Sequence, residues 1–336
     1  MSTDTPSENK ETKPRFRRSL LSGVTLGVIY GVTLRVLVSP GRWPWHSQTA
    51  TYVMTIAFLF LGPVVIGLIT INEAEATGQT SIPEWIFAPW VPMLLTCGVT
   101  ILFKIEGWIC LVMALPVTLV GASIGGVIAG VLARRERIAN RSTLACIAML
   151  PLLFAMLESQ RTATISVRTV QSDIRIHASA ATVWQNVEQV PTIQPTELRP
   201  TWTHKIGFPL PVAAILSHPG VGGVRTASFE HGLTFFETVT IWQPERRLAF
   251  SIKADTAHIP LTTLDEHVTI GGRYFDVLDG EYLIEPLPNG DVLLHLVSHQ
   301  RLSTDFNGYA GFWSDAVMQN LQTSILEVIQ HRCEHA

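Results

Sequence analysis

The sequence predicts a chain in two parts: an α-helical membrane bundle of about five spans, then an α+β domain in which a curved antiparallel sheet wraps a long C-terminal helix. Three observations carry this reading. Only 15% of the 336 residues are charged and 47% are hydrophobic, against a usual charged share of about 25%. Residues 1–160 hold 12 Lys/Arg and 9 Asp/Glu in short clusters, whereas residues 161–336 hold 12 and 18, spread throughout. Near residue 170 the apolar pattern changes from long unbroken runs to alternation, the period of a half-buried strand. The expected boundaries are a polar basic tail over 1–18, a multi-span domain over 19–158, a linker over 159–169 and a soluble domain over 170–336.

The apolar runs are 19–38, 52–71, 85–103, 107–132 and 143–157. The first four match the roughly 20 residues that a spanning helix needs. The fifth has 15 uncharged residues with Pro151 inside, and is read as a short span, with an interfacial helix as the alternative. A basic cluster from Lys10 to Arg18 precedes the first run and also suits a secretory signal, but no clean cleavage site follows, so a retained span is expected. Residues 1–14 read as a polar disordered tail. Arg35 lies near a run end and is expected to snorkel. No Asp, Glu, Lys or His falls mid-span and Glu106 sits in a turn, so an ion-coupled transporter is not expected.

Gly23, Gly27 and Gly31 recur every four residues, as do Gly121, Gly125 and Ala129, with Gly126 and Gly130 beside them. Such ladders let helices approach closely and are a candidate seam for a homo-oligomer or a membrane-protein partner. Trp43, Trp45, Trp85, Trp90 and Trp108 fall near run ends, where an interfacial aromatic belt would sit. The N-terminal cluster and the Arg134–Arg141 loop should face the cytoplasm by the positive-inside rule. If the fifth run crosses, the soluble domain lies on the outer side of the membrane, expected to be a bacterial cytoplasmic membrane; if it lies in the interface, the domain is cytoplasmic.

A net charge of −3 and a pI near 6.4 argue against a nucleic-acid partner. Four cysteines are too few for a disulfide scaffold and match no zinc spacing; Cys97, Cys110 and Cys146 read as small buried hydrophobes. No nucleophile elbow, phosphate-cradling loop or dinucleotide fingerprint is present, and neither a metal nor a cofactor is expected.

In the second half, Val170–His177 alternates as a strand, and Ser179 caps a helix with Ala180, Val183, Trp184 and Val187 on its apolar face. Residues 189–222 are broken by prolines and read as irregular, with at most a helical turn or a short strand. Strands follow over Gly223–Phe229 and Leu233–Trp242 around a His231-Gly232 turn, then Arg247–Ala254, 276–286 and Asp291–Leu302. The last two are joined at Asn289-Gly290, a pair that tolerates positive φ. A final helix opens at Asn307 or Gly308, with Tyr309, Phe312, Val317, Leu321, Ile325 and Val328 at helical spacing, and is expected to close the groove of the sheet by burying the stripe through Phe312, Val317, Leu321 and Ile325.

Three stretches carry a family resemblance: IRIHASAATVWQNV at 174–187, FFETVTIWQPERRLAFSI at 235–252, and GEYLIEPLPNGDVLLHLVSHQRL before the final helix. They resemble the START-like superfamily, also called SRPBCC or the polyketide cyclase/dehydrase-like group, over about 170–333. The resemblance implies a helix-grip fold with an apolar cavity between sheet and terminal helix. The long segment 189–222 and the insert 256–275 depart from simple members where the cavity mouth is shaped, so ligand specificity does not carry over. The superfamily is functionally broad, and fold alone does not give function.

Glu237 alternates with Phe235 and Val239 and is a candidate cavity residue, where desolvation would make it an acid or base. His295 is the second weak catalytic candidate. His295 and His299 share a strand face about 13 Å apart, too far to share one metal. The residues expected to line a ligand site are Phe235, Glu237, Phe250, Tyr282, His295, Phe312 and Trp313. His258, Asp265, Glu266 and His267 read as a solvated loop. The leading function is a membrane-anchored module that holds a lipid-like hydrophobic or amphipathic small molecule beside the bilayer. The alternatives are a cyclase, dehydratase or hydrolase using the cavity Glu and His, and a structural, sensor or docking module for another membrane protein.

Overall fold

A computed structural model of the protein describes residues 12–38, 55–76, 80–135, 140–158, 161, 163–255 and 270–335. The chain divides into two compact units: residues 1–106 with 111–162, and residues 107–110 with 163–336. Trp43, Trp45, the first 11 residues and the insert's His258, Asp265, Glu266 and His267 lie outside the described residues.

The first unit is helical. Its elements are α1 (Thr12–Leu37), a π-helical turn (Ala57–Leu61) running into α2 (Gly62–Glu75), α3 (Ile82–Phe87), α4 (Trp90–Leu102), α5 (Trp108–Arg134) and α6 (Arg141–Glu158). Among the described residues, four stretches are long and apolar enough to cross a membrane: Ser19–Leu37, Ala57–Glu75, Ile82–Leu102 and Trp108–Arg134. Ser142–Glu158 is a shorter apolar helix, so the count supported by length is four, not five.

The glycine ladders are packing surfaces inside this unit. A Cβ on Gly27 would lie 3.0 Å from Pro92, and one on Gly31 would lie 2.8 Å from Thr96 Oγ1. Gly125 abuts the Val64 carbonyl, and Gly126 and Gly130 abut Trp85. The chain's own helices therefore pack against both ladders. Arg35 does not snorkel. It is buried, its Nε donates to the Glu106 carboxylate, and Nη2 donates to Ile105 O (3.1 Å). A carboxylate within reach removes the need to find water. Trp85 is not a belt residue either: it is buried, donates from Nε1 to Thr80 Oγ1 (2.6 Å) and Glu75 Oε1 (3.1 Å), and has Arg134 over its ring. Of the cysteines, Cys146 is exposed and Cys97 and Cys110 are intermediate; the buried one is Cys333.

The second unit holds β1 (Ser166–Ile176), α7 (Ala180–Glu188), a 3-10 turn (Pro195–Glu197), α8 (Trp202–Lys205), β2 (Pro211–Leu216), β3 (Val224–Phe229), β4 (Thr234–Gln243), β5 (Arg247–Asp255), β6 (Phe275–Pro286), β7 (Val292–Leu302) and α9 (Asn307–Glu334). One antiparallel sheet runs β1-β7-β6-β5-β4-β3-β2. Ser179 caps α7, accepting from Thr182 N–H (3.2 Å). One face of the sheet packs on α9 and α7: Val239, Leu248, Phe250, Tyr282, Ile284, Leu294 and Leu296 meet Leu326, Ile329, Cys333, Val183, Trp184 and Val187.

Three expectations change here. β1 begins at Ser166, four residues before the expected 170; the short strand allowed within 189–222 is the edge strand β2. At the β6–β7 hairpin only Gly290 takes positive φ (86°). Leu287 N–H donates to Asp291 O (2.8 Å), closing a three-residue loop that needs a single left-handed residue. The buried stripe of α9 is Gly311, Val317, Gln322, Leu326, Ile329 and Cys333, with Val328 buried beside it. Leu321 and Ile325 are half-buried, and Phe312 is 65% exposed. Counting apolar residues alone skips Gly311, which Arg168 crowds, and Gln322, which bonds the sheet; the face is turned accordingly.

Candidate functional site

The site begins with a hairpin. The β3–β4 turn, Glu230–Gly232, holds His231 at φ 59° and Gly232 at φ 82°. The register it sets places Arg225 opposite Glu237, and Thr226 opposite Phe236. Strand alternation then sends Arg225, Ala227, Glu237 and Val239 to the helix-facing side, where all are buried.

An ion pair therefore stands inside an apolar wall. Arg225 is 4% exposed and Glu237 8%, and Arg225 Nε lies 3.3 Å from Glu237 Oε2. The guanidinium carbon sits 5.3 Å from the Phe250 ring centre and 5.5 Å from that of Tyr282, within cation–π range. Gly280 makes room: a Cβ there would lie 2.6 Å from Phe250 Cε2. Burial pushes the Glu237 carboxyl above its ordinary value, against the pull of Arg225. Burial also raises the Tyr282 phenol, again opposed by Arg225.

The pair is in ionic contact without full hydrogen bonding. Arg225 Nε, Arg225 Nη1 and Glu237 Oε2 are buried and have no hydrogen-bond partner, a costly state for charged groups. A buried polar cluster elsewhere on the same face behaves differently. Gln322 Nε2 donates to Val170 O (3.1 Å) and Ser298 Oγ (3.0 Å), and Ser172 Oγ donates to Gln322 Oε1 (2.9 Å). That cluster ties α9 to β1 and β7. A second group of unpartnered buried atoms lies toward the start of α9: Gln300 Oε1, Trp313 Nε1 and Ser314 Oγ.

The expected site residues divide between surfaces. Glu237, Phe250 and Tyr282 come together around Arg225. Phe235 is half-buried on the same side, edge-on to Phe229 (5.3 Å) in the neighbouring cluster with Val190, Ala214, Ala227 and Val328. His295 does not join them. On β7 the even residues are buried and the odd ones face outward, so His295 meets Asp173 Oδ1 (2.6 Å) and Glu285 Oε2 (3.3 Å) on the opposite face, as His299 meets Asp279 (2.6 Å). Phe312 is on the surface, and Trp313 meets it edge-on (5.7 Å) and Trp202 at a tilt (6.4 Å). Sequence reasoning missed Arg225 and Gly280. Arg225 was within reach, since it and Glu237 each lie six residues from His231.

Among the described residues, no three His, Cys, Asp or Glu side chains gather as a metal site. What the arrangement offers is a paired donor and acceptor in an apolar surface.

No family model matches the sequence, and no curated relative does. Solved structures similar to the chain include a START superfamily protein from Mycobacterium smegmatis, 12% identical, covering 50% of this chain and 97% of that one with a TM-score of 0.33. Others are a truncated norcoclaurine synthase from Thalictrum flavum, at 9% identity, 51% and 95% coverage and TM-score 0.32, and a conserved protein from Geobacillus kaustophilus, at 12%, 49% and 95%, and 0.31. By its own strand order and terminal helix, the C-terminal half of this chain is a seven-stranded antiparallel sheet packed on a long C-terminal helix.

Proposed function

We propose that the protein is a membrane-anchored binding module whose START-like domain holds a hydrophobic or amphipathic small molecule between sheet and terminal helix. The observation that carries this is the Arg225–Glu237 pair, buried in an apolar wall with three polar atoms unpartnered. Ligand sites are mostly apolar surfaces with a few convergent polar groups, and this pair is such a group. Four apolar helices of spanning length supply the anchor. Catalysis by a Glu–His pair loses its support, because His295 faces away from Glu237; an acid–base reading would rest on Glu237 alone. Native mass spectrometry of the full chain, released from detergent micelles after expression in cells, tests the binding reading. A small molecule retained at defined stoichiometry supports it, and the bare chain mass in every preparation overturns it.

A further inference from the structure

Resting on the anchored half of that reading, we infer that the C-terminal domain docks on anionic lipid through one apolar patch where β1 and α9 begin. Ile165, Val167 and Phe312 are 63%, 59% and 65% exposed, and Trp202 is exposed as well. Contacts bring their elements together. Asn307 Nδ2 donates to Thr164 O (2.6 Å), and a Cβ on Gly311 would lie 2.8 Å from the Arg168 guanidinium carbon. Trp313 links Phe312 to Trp202, at 5.7 and 6.4 Å. Large apolar side chains gathered on a surface mark interaction sites, and aromatic rings favour the boundary between membrane and water.

Three observations name lipid as the occupant. The first is reach. The apolar helix α6 ends at Glu158 and β1 begins at Ser166, and eight residue steps span at most about 28 Å. Whether α6 crosses the bilayer or lies in its interface, its end is at the membrane surface, so the start of β1 is held close by. The second is a gradient along β1. Its outward positions run Val167, Thr169, Gln171, Asp173, Arg175, apolar where the tether enters and polar beyond. The third is charge. The segments that build the patch, 161–168, 199–207 and 305–315, expose Arg161, Arg199 and Lys205 against Asp305, while Arg168 and Asp315 bond each other. This local excess of cations stands in a half with 12 Lys/Arg against 18 Asp/Glu. Anionic lipid headgroups attract such a patch, whereas a second copy meeting it about a two-fold axis would set cations against cations.

The test uses the full chain, one copy per nanodisc, in phosphatidylcholine with or without phosphatidylglycerol. The discs are doped with a phosphatidylcholine bearing a diazirine high in one acyl chain, and cross-linked peptides are mapped by mass spectrometry. Peptides carrying Ile165 and Val167, Trp202 and Phe312 should be labelled in the anionic discs. Those carrying Val221 and Phe236, also exposed on this domain, should stay clean. Omitting phosphatidylglycerol or raising the salt should lower patch labelling by about threefold or more. Phe312→Ser, at an exposed position, should lower labelling at Ile165 and Val167 by about threefold or more, since one large apolar side chain leaves the interface. The spans report on the anchor separately, because peptides of Trp108–Arg134 must be labelled for that reading to hold. Labelled spans with a clean patch, or equal labelling of patch and reference peptides, overturn the inference and leave the anchor standing. Patch labelling indifferent to lipid charge, salt and Phe312→Ser also overturns it. Protection of the patch found only with several copies per disc would make it a protein interface and overturns it too. If the spans are unlabelled, the anchor reading falls and the inference falls with it. The wild-type contrast between patch and reference peptides decides the question even where the variant fails to fold.

Discussion

Arg225 and Glu237 face each other across β3 and β4 with 3.3 Å between Nε and Oε2, yet neither atom completes a hydrogen bond. Taking two charges out of water costs several kcal/mol per ion, and attraction offsets this only when geometry is good and the remaining donors and acceptors are satisfied. Here they are not. The pair is therefore a poor device for stability and a suitable one for recognition.

Removing one partner should be worse than removing both. Glu237→Leu leaves a guanidinium that cannot shed its proton and should cost about 3–5 kcal/mol. Arg225→Met leaves a carboxyl that can take one up. Burial raises Glu237 above its ordinary value, so its contribution is intact below about pH 4.3, the unfolded value, and is lost as pH rises through the folded value. Deleting Arg225 removes the attraction that held the folded value down. The Arg225→Met penalty should then grow as pH rises and shrink as pH falls toward the unfolded value. Thermal exposure of Cys333, buried on α9, reads the C-terminal half within the full chain. A penalty independent of pH contradicts the argument.

Gly280→Ala should destabilise the same region. Its Cβ would enter the Phe250 ring, the support beneath Arg225, and overpacking of this kind costs about 1–3 kcal/mol. Phe250→Leu should lower that cost in a double-mutant cycle. Additive effects in the cycle would separate Gly280 from Phe250.

Much of this architecture is written in short-range patterns. The alternation of β4, β5 and β7, the Ser179 cap and the His231-Gly232 turn are local, and each stands where the pattern placed it. Facing is less local. His295 sits in a clean alternation, but which side of β7 meets the helix depends on the whole sheet. The α9 stripe was misread because a buried glycine and a buried glutamine carry no hydrophobic signal. Glu237 was legible from β4 alone; Arg225 required the hairpin register to be counted through.

Surface and buried positions of α9 should accordingly respond in opposite ways. Phe312→Asp should change stability by no more than about 0.5 kcal/mol, as for other surface positions, because Phe312 is exposed. Leu326→Ala should cost about 2–5 kcal/mol, because Leu326 is fully buried in the main core. Cys333 exposure midpoints compare the two. A severe Phe312→Asp would mean that a partner covers that face.

The side of the membrane is a separate question. Cys333 is buried and its thiol is pushed up to about 11, chiefly by burial, so it cannot report on sidedness. Asn289→Cys, on the exposed β6–β7 loop, can. If α6 crosses, an impermeant thiol reagent should label this cysteine in intact cells. Labelling only after lysis would place the domain in the cytoplasm and α6 in the interface.

The central claim, that the ion pair exists for a ligand, is tested most directly by Arg225→Met/Glu237→Leu in the full chain. Replacing a buried ion pair by apolar residues of similar volume is often neutral or stabilising by about 1–4 kcal/mol. The double variant should therefore expose Cys333 at the wild-type temperature or above it, and native mass spectrometry should find the retained small molecule gone. A double variant that folds and keeps the same molecule at the same occupancy would contradict the account.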